Sequence, residues 1–167
     1  MSAYEVGFRP NDHGETATDV QEAMQEHQLV VGARAVVHVT AVIEFFSKAL
    51  PAVAEELARQ DLPATGPPIT VYRERDVDYF QVTAGFPVDR RPSGCALAGT
   101  VLHAGPIVRA VHLGPYDHLG STYASVGRWF MARGIFPPAT MWEQYLVGPT
   151  ATADPGRWRT VVVFPLC

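Results

Sequence analysis

The fold is decided by residues 107–146, which read IVRAVHLGPYDHLGSTYASVGRWFMARGIFPPATMWEQYL. The first seven residues are apolar enough for a β-strand, and the Gly114-Pro115 pair ends it with a turn. Apolar residues then recur with the spacing of one face of an α-helix, at Leu119, Tyr123, Val126 and Phe130. Gly134 and the prolines that follow predict the end of that helix, and a strand is predicted over residues 141–147.

The same rules predict further elements on either side. Strands are expected over residues 29–39, 69–73, 79–88, 97–102 and 158–164. Pro51 interrupts a helical pattern that starts at Val42, so the helix is predicted to begin near Ser47, a residue suited to an N-cap. Alternation over residues 4–8 predicts a strand, and the polar segment 11–28 predicts a short helix carrying Val20, Met24 and His27.

The two halves of the chain repeat each other. A shift of 73 residues aligns Leu50 with Tyr123 and Tyr72 with Tyr145. We therefore predict an α+β fold, a tandem duplication of a β-α-β-β unit whose two pseudo-symmetric halves share one antiparallel sheet. The chain is predicted to be a single domain over residues 1–167, with repeats at about 29–88 and 107–167 preceded by segment 1–28. Glu143 aligns with Thr70, so this acid is confined to one half.

Composition restricts the class of function. The chain has 167 residues, 47% of them hydrophobic and 18% charged, with a net charge of −4 and no basic cluster, which argues against direct nucleic-acid binding. No apolar run is long enough for a membrane span, no signal peptide is evident, and two cysteines indicate a cytoplasmic protein. The histidines lack the spacing of a metal site and no phosphate loop is present, so no metal and no cofactor are expected.

Three short motifs carry a resemblance to a known family. The turn His112-x-Gly114-Pro115-Tyr116, the strand Glu143-x-Tyr145 and the closing strand RWRTVVVFPL together resemble the GyrI-like effector-binding domain. That domain is also the drug-sensing half of MerR-type and AraC-type transcription activators. The resemblance covers nearly all of the chain from Leu29 onward. The polar segment 11–28 is longer than expected, and the absence of a helix-turn-helix indicates a stand-alone domain.

The resemblance implies where a site lies. In the family, a cleft between the repeats takes bulky aromatic, often cationic molecules, and the acid of the E-x-Y strand lies in it. Glu143 is expected there, although a carboxylate on an apolar strand face can instead be solvated at an edge or paired in a salt bridge. Aromatic and sulfur-containing side chains are expected to form the walls, the candidates being Tyr145, Tyr72, Trp142, Tyr116, Trp129, Phe45 and Met141.

Three functions follow from this resemblance. The first is a ligand-binding protein that senses or sequesters aromatic cations. The second is a hydrolase that opens cyclopropane rings of DNA-alkylating natural products, with Glu143 as general base and Tyr145 or Trp142 positioning the substrate. The third is a protein partnership with DNA gyrase, after which the family is named, or with a transcription regulator.

Overall fold

The computed structural model describes residues 18–94 and 96–166. Eight strands and two helices follow one another as β1 (Val20–Gln25), β2 (Gln28–His38), α1 (Val42–Arg59), β3 (Ile69–Glu74), β4 (Tyr79–Val88), β5 (Ala98–Leu102), β6 (Gly105–Leu113), α2 (Leu119–Ala132), β7 (Thr140–Val147) and β8 (Arg159–Pro165). The strand predicted for residues 4–8 lies outside the described residues.

All eight strands form one antiparallel sheet, in the order β1-β6-β8-β7-β3-β4-β2-β5. The order is symmetric about the β7–β3 pair. On one side of that pair lie β8, β6 and β1, and on the other side lie their counterparts β4, β2 and β5. The predicted α+β duplication of a β-α-β-β unit is therefore confirmed.

The sheet is strongly curled. β5 is the last strand in the order and β6 the second, yet only His103 and Ala104 separate them along the chain, so opposite ends of the sheet must approach each other. Gly32 and Gly85 face each other across β2 and β4 within this curled sheet. A Cβ atom on Gly85 would lie 1.9 Å from the carbonyl oxygen of Val31, so only glycine permits this close approach.

Each helix covers one half of the same sheet face. α1 packs against β2 and β4, where Val53 and Leu57 are buried, and α2 packs against β6, where Val126 and Phe130 are buried. These residues sit at the helical spacing seen in the sequence. Burying a side chain of this size contributes about 1.5–3 kcal/mol to folding. A separate cluster around Trp142 fills the opposite face, within the curl of the sheet.

Two predicted elements differ from the observed ones. The helix predicted within segment 11–28 is wrong, because residues 20–25 form the edge strand β1, paired with β6 from Val20 opposite Ala110 onward. The predicted start of α1 near Ser47 is also wrong, since the helix begins at Val42 and contains Pro51. Pro51 deprives only the carbonyl of Ser47 of its helical partner, and Ser47 is exposed to solvent.

Candidate functional site

The candidate site lies at the boundary between the two halves. Glu143 on β7 is directly opposite Thr70 on β3, and the two residues are also the ones that the internal repeat aligns. The local symmetry axis therefore passes between them. Alternation along each strand turns both side chains, together with Tyr72 and Tyr145, toward the face that the helices cover.

Three tyrosine hydroxyls surround the Glu143 carboxylate. Tyr145 donates a hydrogen bond to Oε2 over 2.6 Å, and Tyr72 donates to the same oxygen over 3.1 Å. Tyr123, on α2, donates to Oε1. The hydroxyl of Tyr72 also lies 3.5 Å from that of Tyr145. Tyr72 and Tyr145 on the strands and Tyr123 on α2 thus all donate hydrogen bonds, as neutral groups, to a single carboxylate.

The site is withdrawn from solvent. Glu143 is only 6% exposed, and no ion pair joins it to a lysine or arginine among the described residues. Burial raises the pKa of Tyr72 and of Tyr145 well above the ordinary tyrosine value, and the nearby charge of Glu143 raises both further. The same two causes, in the same order, raise the pKa of Tyr116. At neutral pH the phenols are therefore protonated donors.

Further aromatic rings cover Tyr145. Phe46, on α1, stacks on Tyr145 with ring centroids 5.4 Å apart and an interplanar angle of 20°. Tyr116, from the turn before α2, meets Tyr145 edge-on at 5.8 Å and Phe46 at 6.0 Å. Trp158 packs against the outer side of Tyr116 at 4.9 Å. The cover thus combines rings from both halves of the chain.

The structure brings most of the predicted site residues to this face. Tyr72, Tyr116 and Tyr145 meet as described, and the sulfur of Met141 lies 3.7 Å from the hydroxyl of Tyr123. Phe45 packs, partly buried, against the core cluster that contains Tyr72.

Trp129, on α2, is also partly buried against that cluster, where it contacts Phe130 and carries the guanidinium of Arg133 over its ring at 3.9 Å. One predicted wall residue lies elsewhere. Trp142 points to the opposite face of the sheet, because it alternates with Glu143 along β7.

Tyr123, which donates to the acid, and Phe46, which stacks on Tyr145, are absent from the predicted set. The sequence predicts Tyr123 only as an apolar position on a helix face, and Phe46 lies within the helical pattern that starts at Val42. The repeat held a signal for Tyr123, since it aligns with Leu50 and therefore adds a hydroxyl to the same half that carries Glu143. For Phe46 no signal separates it from Phe45, its neighbour in the sequence.

The described residues also bear on three other kinds of feature: a metal site, a membrane-spanning helix and a surface depression. No group of three or more potential metal ligands occurs among them, and none of their helices could cross a membrane. An open depression of about 430 Å³ lies at the far end of α1, lined largely by apolar residues such as Leu57, Leu62 and Phe86. It contains none of the residues around Glu143.

The fold defines a class of structure, a duplicated β-α-β-β unit with a buried acid where the halves meet. No known family profile matches the chain, and no curated protein matches it. Solved structures do match.

The EcmrR C-terminal domain superposes with a TM-score of 0.76 at 20% identity, over 89% of this chain and 96% of that one. In the EcmrR–DNA complex the chain spans 57% of the matched chain, with a TM-score of 0.77 and 21% identity. SAV2435 bound to tetraphenylphosphonium matches with a TM-score of 0.68 at 10% identity, over 89% of this chain and 94% of that one. A hydrolase from Listeria innocua matches with a TM-score of 0.56 at 11% identity, over 89% and 91%. At these identities the likeness establishes the fold.

Proposed function

We propose that this chain is a GyrI-like small-molecule-binding protein that captures bulky aromatic cations around Glu143. One observation carries the proposal: a buried carboxylate at the junction of the two halves is held by neutral phenols rather than by a basic side chain. An ionised carboxylate in such surroundings retains much of its attraction for a positive charge, because little water screens it.

The surrounding rings suit a flat or branched aromatic guest. Phe46, Tyr116 and Tyr145 offer ring faces and edges next to the acid. A cation against such a ring gains about 0.5–2 kcal/mol, the larger value applying where water is excluded. The carboxylate would then distinguish a cationic guest from a neutral one of the same shape.

Access requires the aromatic cover to move. Glu143 is 6% exposed, and the half-buried rings of Phe46 and Tyr116 lie over Tyr145 from opposite halves of the chain. We infer that a ligand enters by displacing these two rings, since neither belongs to a sheet strand. The stacking that they lose with each other would be replaced by stacking on the ligand.

The experiment uses tetraphenylphosphonium as the probe and isothermal titration calorimetry as the assay. We expect micromolar binding to the wild type and a Kd at least about tenfold weaker for Glu143→Gln, which keeps the shape and removes the charge. Glu74→Gln is the matched control, because Glu74 lies on β3, on the same face of the sheet, and should leave the Kd unchanged. Equal affinity of wild type and Glu143→Gln refutes the proposal.

Two likenesses support this proposal. The motifs around Tyr116 and Glu143 resemble the GyrI-like family, and SAV2435, which shares the fold, was solved with an aromatic cation bound. Sensing and sequestration are both compatible with such a site. The gyrase or regulator partner implied by the resemblance stays a prediction, which co-purification with gyrase would test.

A hydrolase is the second candidate, favoured by the close pairing of Glu143 with phenols that can donate protons. In this case Glu143 would act as general base toward water, and Tyr145 would position a strained cyclopropane substrate. Two solved structures with this fold are described as hydrolases from Listeria innocua. Turnover of a cyclopropane alkylator by the wild type, lost in Glu143→Gln, would support this candidate, and absence of turnover by the wild type would exclude it.

A further inference from the structure

A buried histidine joins the two segments of the second half that carry site tyrosines. His112, near the end of β6, is 5% exposed and uses both ring nitrogens. Its Nε2 lies 2.9 Å from the carbonyl oxygen of Pro115, in the turn that follows β6. Its Nδ1 lies 2.9 Å from the hydroxyl of Thr122, in the first turn of α2.

These partners define the form of the ring. A carbonyl oxygen only accepts hydrogen bonds, so Nε2 carries a hydrogen and donates it to Pro115. In a neutral imidazole Nδ1 is then the acceptor, and the hydroxyl of Thr122 donates to it. The oxygen of Thr122 also lies 3.2 Å from the hydroxyl of Thr18, just before β1. Thr122 is fully buried, so its hydrogen bonds are shielded from water.

Each partner of the ring is next to a tyrosine of the site. Pro115 precedes Tyr116, which covers Tyr145, and Thr122 precedes Tyr123, which donates to Glu143. We propose that His112 is a positioning residue that sets Tyr116 through Nε2 and Tyr123 through Nδ1. The inference deepens the proposed function and rests on it for its functional meaning, although the positioning itself is a property of the protein without ligand.

The internal repeat separates this role from a general need of the fold. Where RAV at residues 109–111 echoes RAV at residues 34–36, His112 aligns with Val37, a partly buried apolar residue. Under the shift of 73 residues that relates the two helices, Thr122 aligns with Ala49 and Tyr123 with Leu50. The sister half forms the same strand and helix without any of these polar groups. His112 and Thr122 therefore occur in the same half as Glu143 and Tyr123, and in that half only.

Turn geometry supports a fixed path between the two segments. Gly114 has φ +114°, a conformation that residues with a side chain rarely adopt, and its amide donates to the carbonyl of Trp158 over 2.9 Å. This anchors the turn on one side, and His112 anchors it on the other through Pro115. The backbone before α2 is thus held at both ends while Tyr116 projects from it.

Two substitutions distinguish the two nitrogens. His112→Asn places an amide oxygen near the position of Nδ1 and can accept from Thr122, whereas His112→Gln places an amide nitrogen near Nε2 and can donate to Pro115. The reporters are the ¹³Cζ NMR signals of tyrosine in the protein without ligand, which respond to hydrogen bonding of the phenol, as for Tyr123, and to the rings packed around it, as for Tyr116. His118→Asn is the control, because His118 is exposed and lies just before α2, one helical turn before Thr122.

We expect His112→Asn to shift the Tyr116 signal and keep that of Tyr123, and His112→Gln to do the reverse. The ¹⁵N signals of His112 in the wild type should show the form protonated at Nε2. Tetraphenylphosphonium affinity should fall at least about threefold in both variants and stay unchanged in His118→Asn. The proposal is overturned if neither tyrosine signal responds to either substitution, or if both variants shift both signals alike. Should wild type bind no tetraphenylphosphonium while the tyrosine signals respond as expected, the binding proposal fails and the positioning role stands.

Discussion

Replacing Tyr145 with phenylalanine removes one hydroxyl from Glu143 and leaves the ring in place. The lost bond is 2.6 Å long and joins two groups that are each 6% exposed. Hydrogen bonds to charged groups contribute about 1.5–3 kcal/mol, and those between neutral groups about half as much. We therefore expect Tyr145→Phe to lower the free energy of unfolding by about 2 kcal/mol in the wild type and by about 1 kcal/mol in Glu143→Gln.

Urea unfolding followed by circular dichroism measures the four corners of this cycle. Tyr79→Phe is the control, since Tyr79 is 44% exposed and should change the free energy by less than about 0.5 kcal/mol. If Tyr145→Phe lowers the free energy of unfolding equally in the wild type and in Glu143→Gln, the hydrogen bond of the phenol does not depend on the charge of Glu143. The account of a carboxylate held by neutral donors would then be incorrect.

Further predictions concern pH, packing and access. The pKa values of Tyr72 and Tyr145 are raised in the folded protein, so the two phenols contribute fully to the free energy of unfolding below about pH 10. Above that pH the same tyrosines ionise in the unfolded chain first. The free energy of unfolding then falls by about 1.4 kcal/mol per pH unit for each of the two groups. Alkaline urea titrations check this, and the slope should flatten in the double phenylalanine variant. Gly85→Ala should unfold the protein or cost more than about 3 kcal/mol, since the added Cβ meets backbone at 1.9 Å. In contrast, Gly127→Ala, in open space on α2, should stabilise by about 0.5–1 kcal/mol. Phe46→Ala should speed tetraphenylphosphonium association in stopped-flow measurements, and an unchanged rate would contradict ligand entry past this ring.

The periodicity of apolar residues and the internal repeat of the sequence predict most of the fold. The helix face from Leu119 to Phe130 and the alternation along β4 are local signals that tertiary packing reinforces. The resemblance implied a place for Glu143 between the halves, and the residue that the repeat aligns with it, Thr70, lies directly opposite it on β3.

The strand β1 and the start of α1 escaped prediction for physical reasons. β1 is polar and weakly patterned, and it is a strand because its partner β6, far along the chain, supplies the hydrogen bonds. α1 tolerates Pro51 because the freed carbonyl is exposed and because Ala49, Val53 and Leu57 bury an apolar stripe on either side of the proline. Neither a distant partner nor the packing that offsets a local penalty can be read from the segment itself.

The candidate site was predictable in its acid and less so in its surroundings. The asymmetry between Glu143 and Thr70 singled out one carboxylate. Tyr72 and Tyr145 were predicted as aromatic walls of the site, whereas the third donor, Tyr123, could not be deduced, because a tyrosine on a helix face counts equally as an apolar residue and as a hydroxyl. The direction of Tyr123 depends on where α2 lies over the sheet, which the sequence of α2 does not specify alone.

The central claim is that Glu143 supplies a negative charge to a ligand site lined by aromatic rings. Tetraphenylphosphonium and tetraphenylborate have the same shape and opposite charges, so the ratio of their affinities isolates the charge. We predict that the wild type binds the cation at least about a hundredfold more tightly than the anion, and that Glu143→Gln lowers this ratio at least about tenfold. A ratio near one in the wild type, or a ratio that Glu143→Gln leaves unchanged, would contradict the claim.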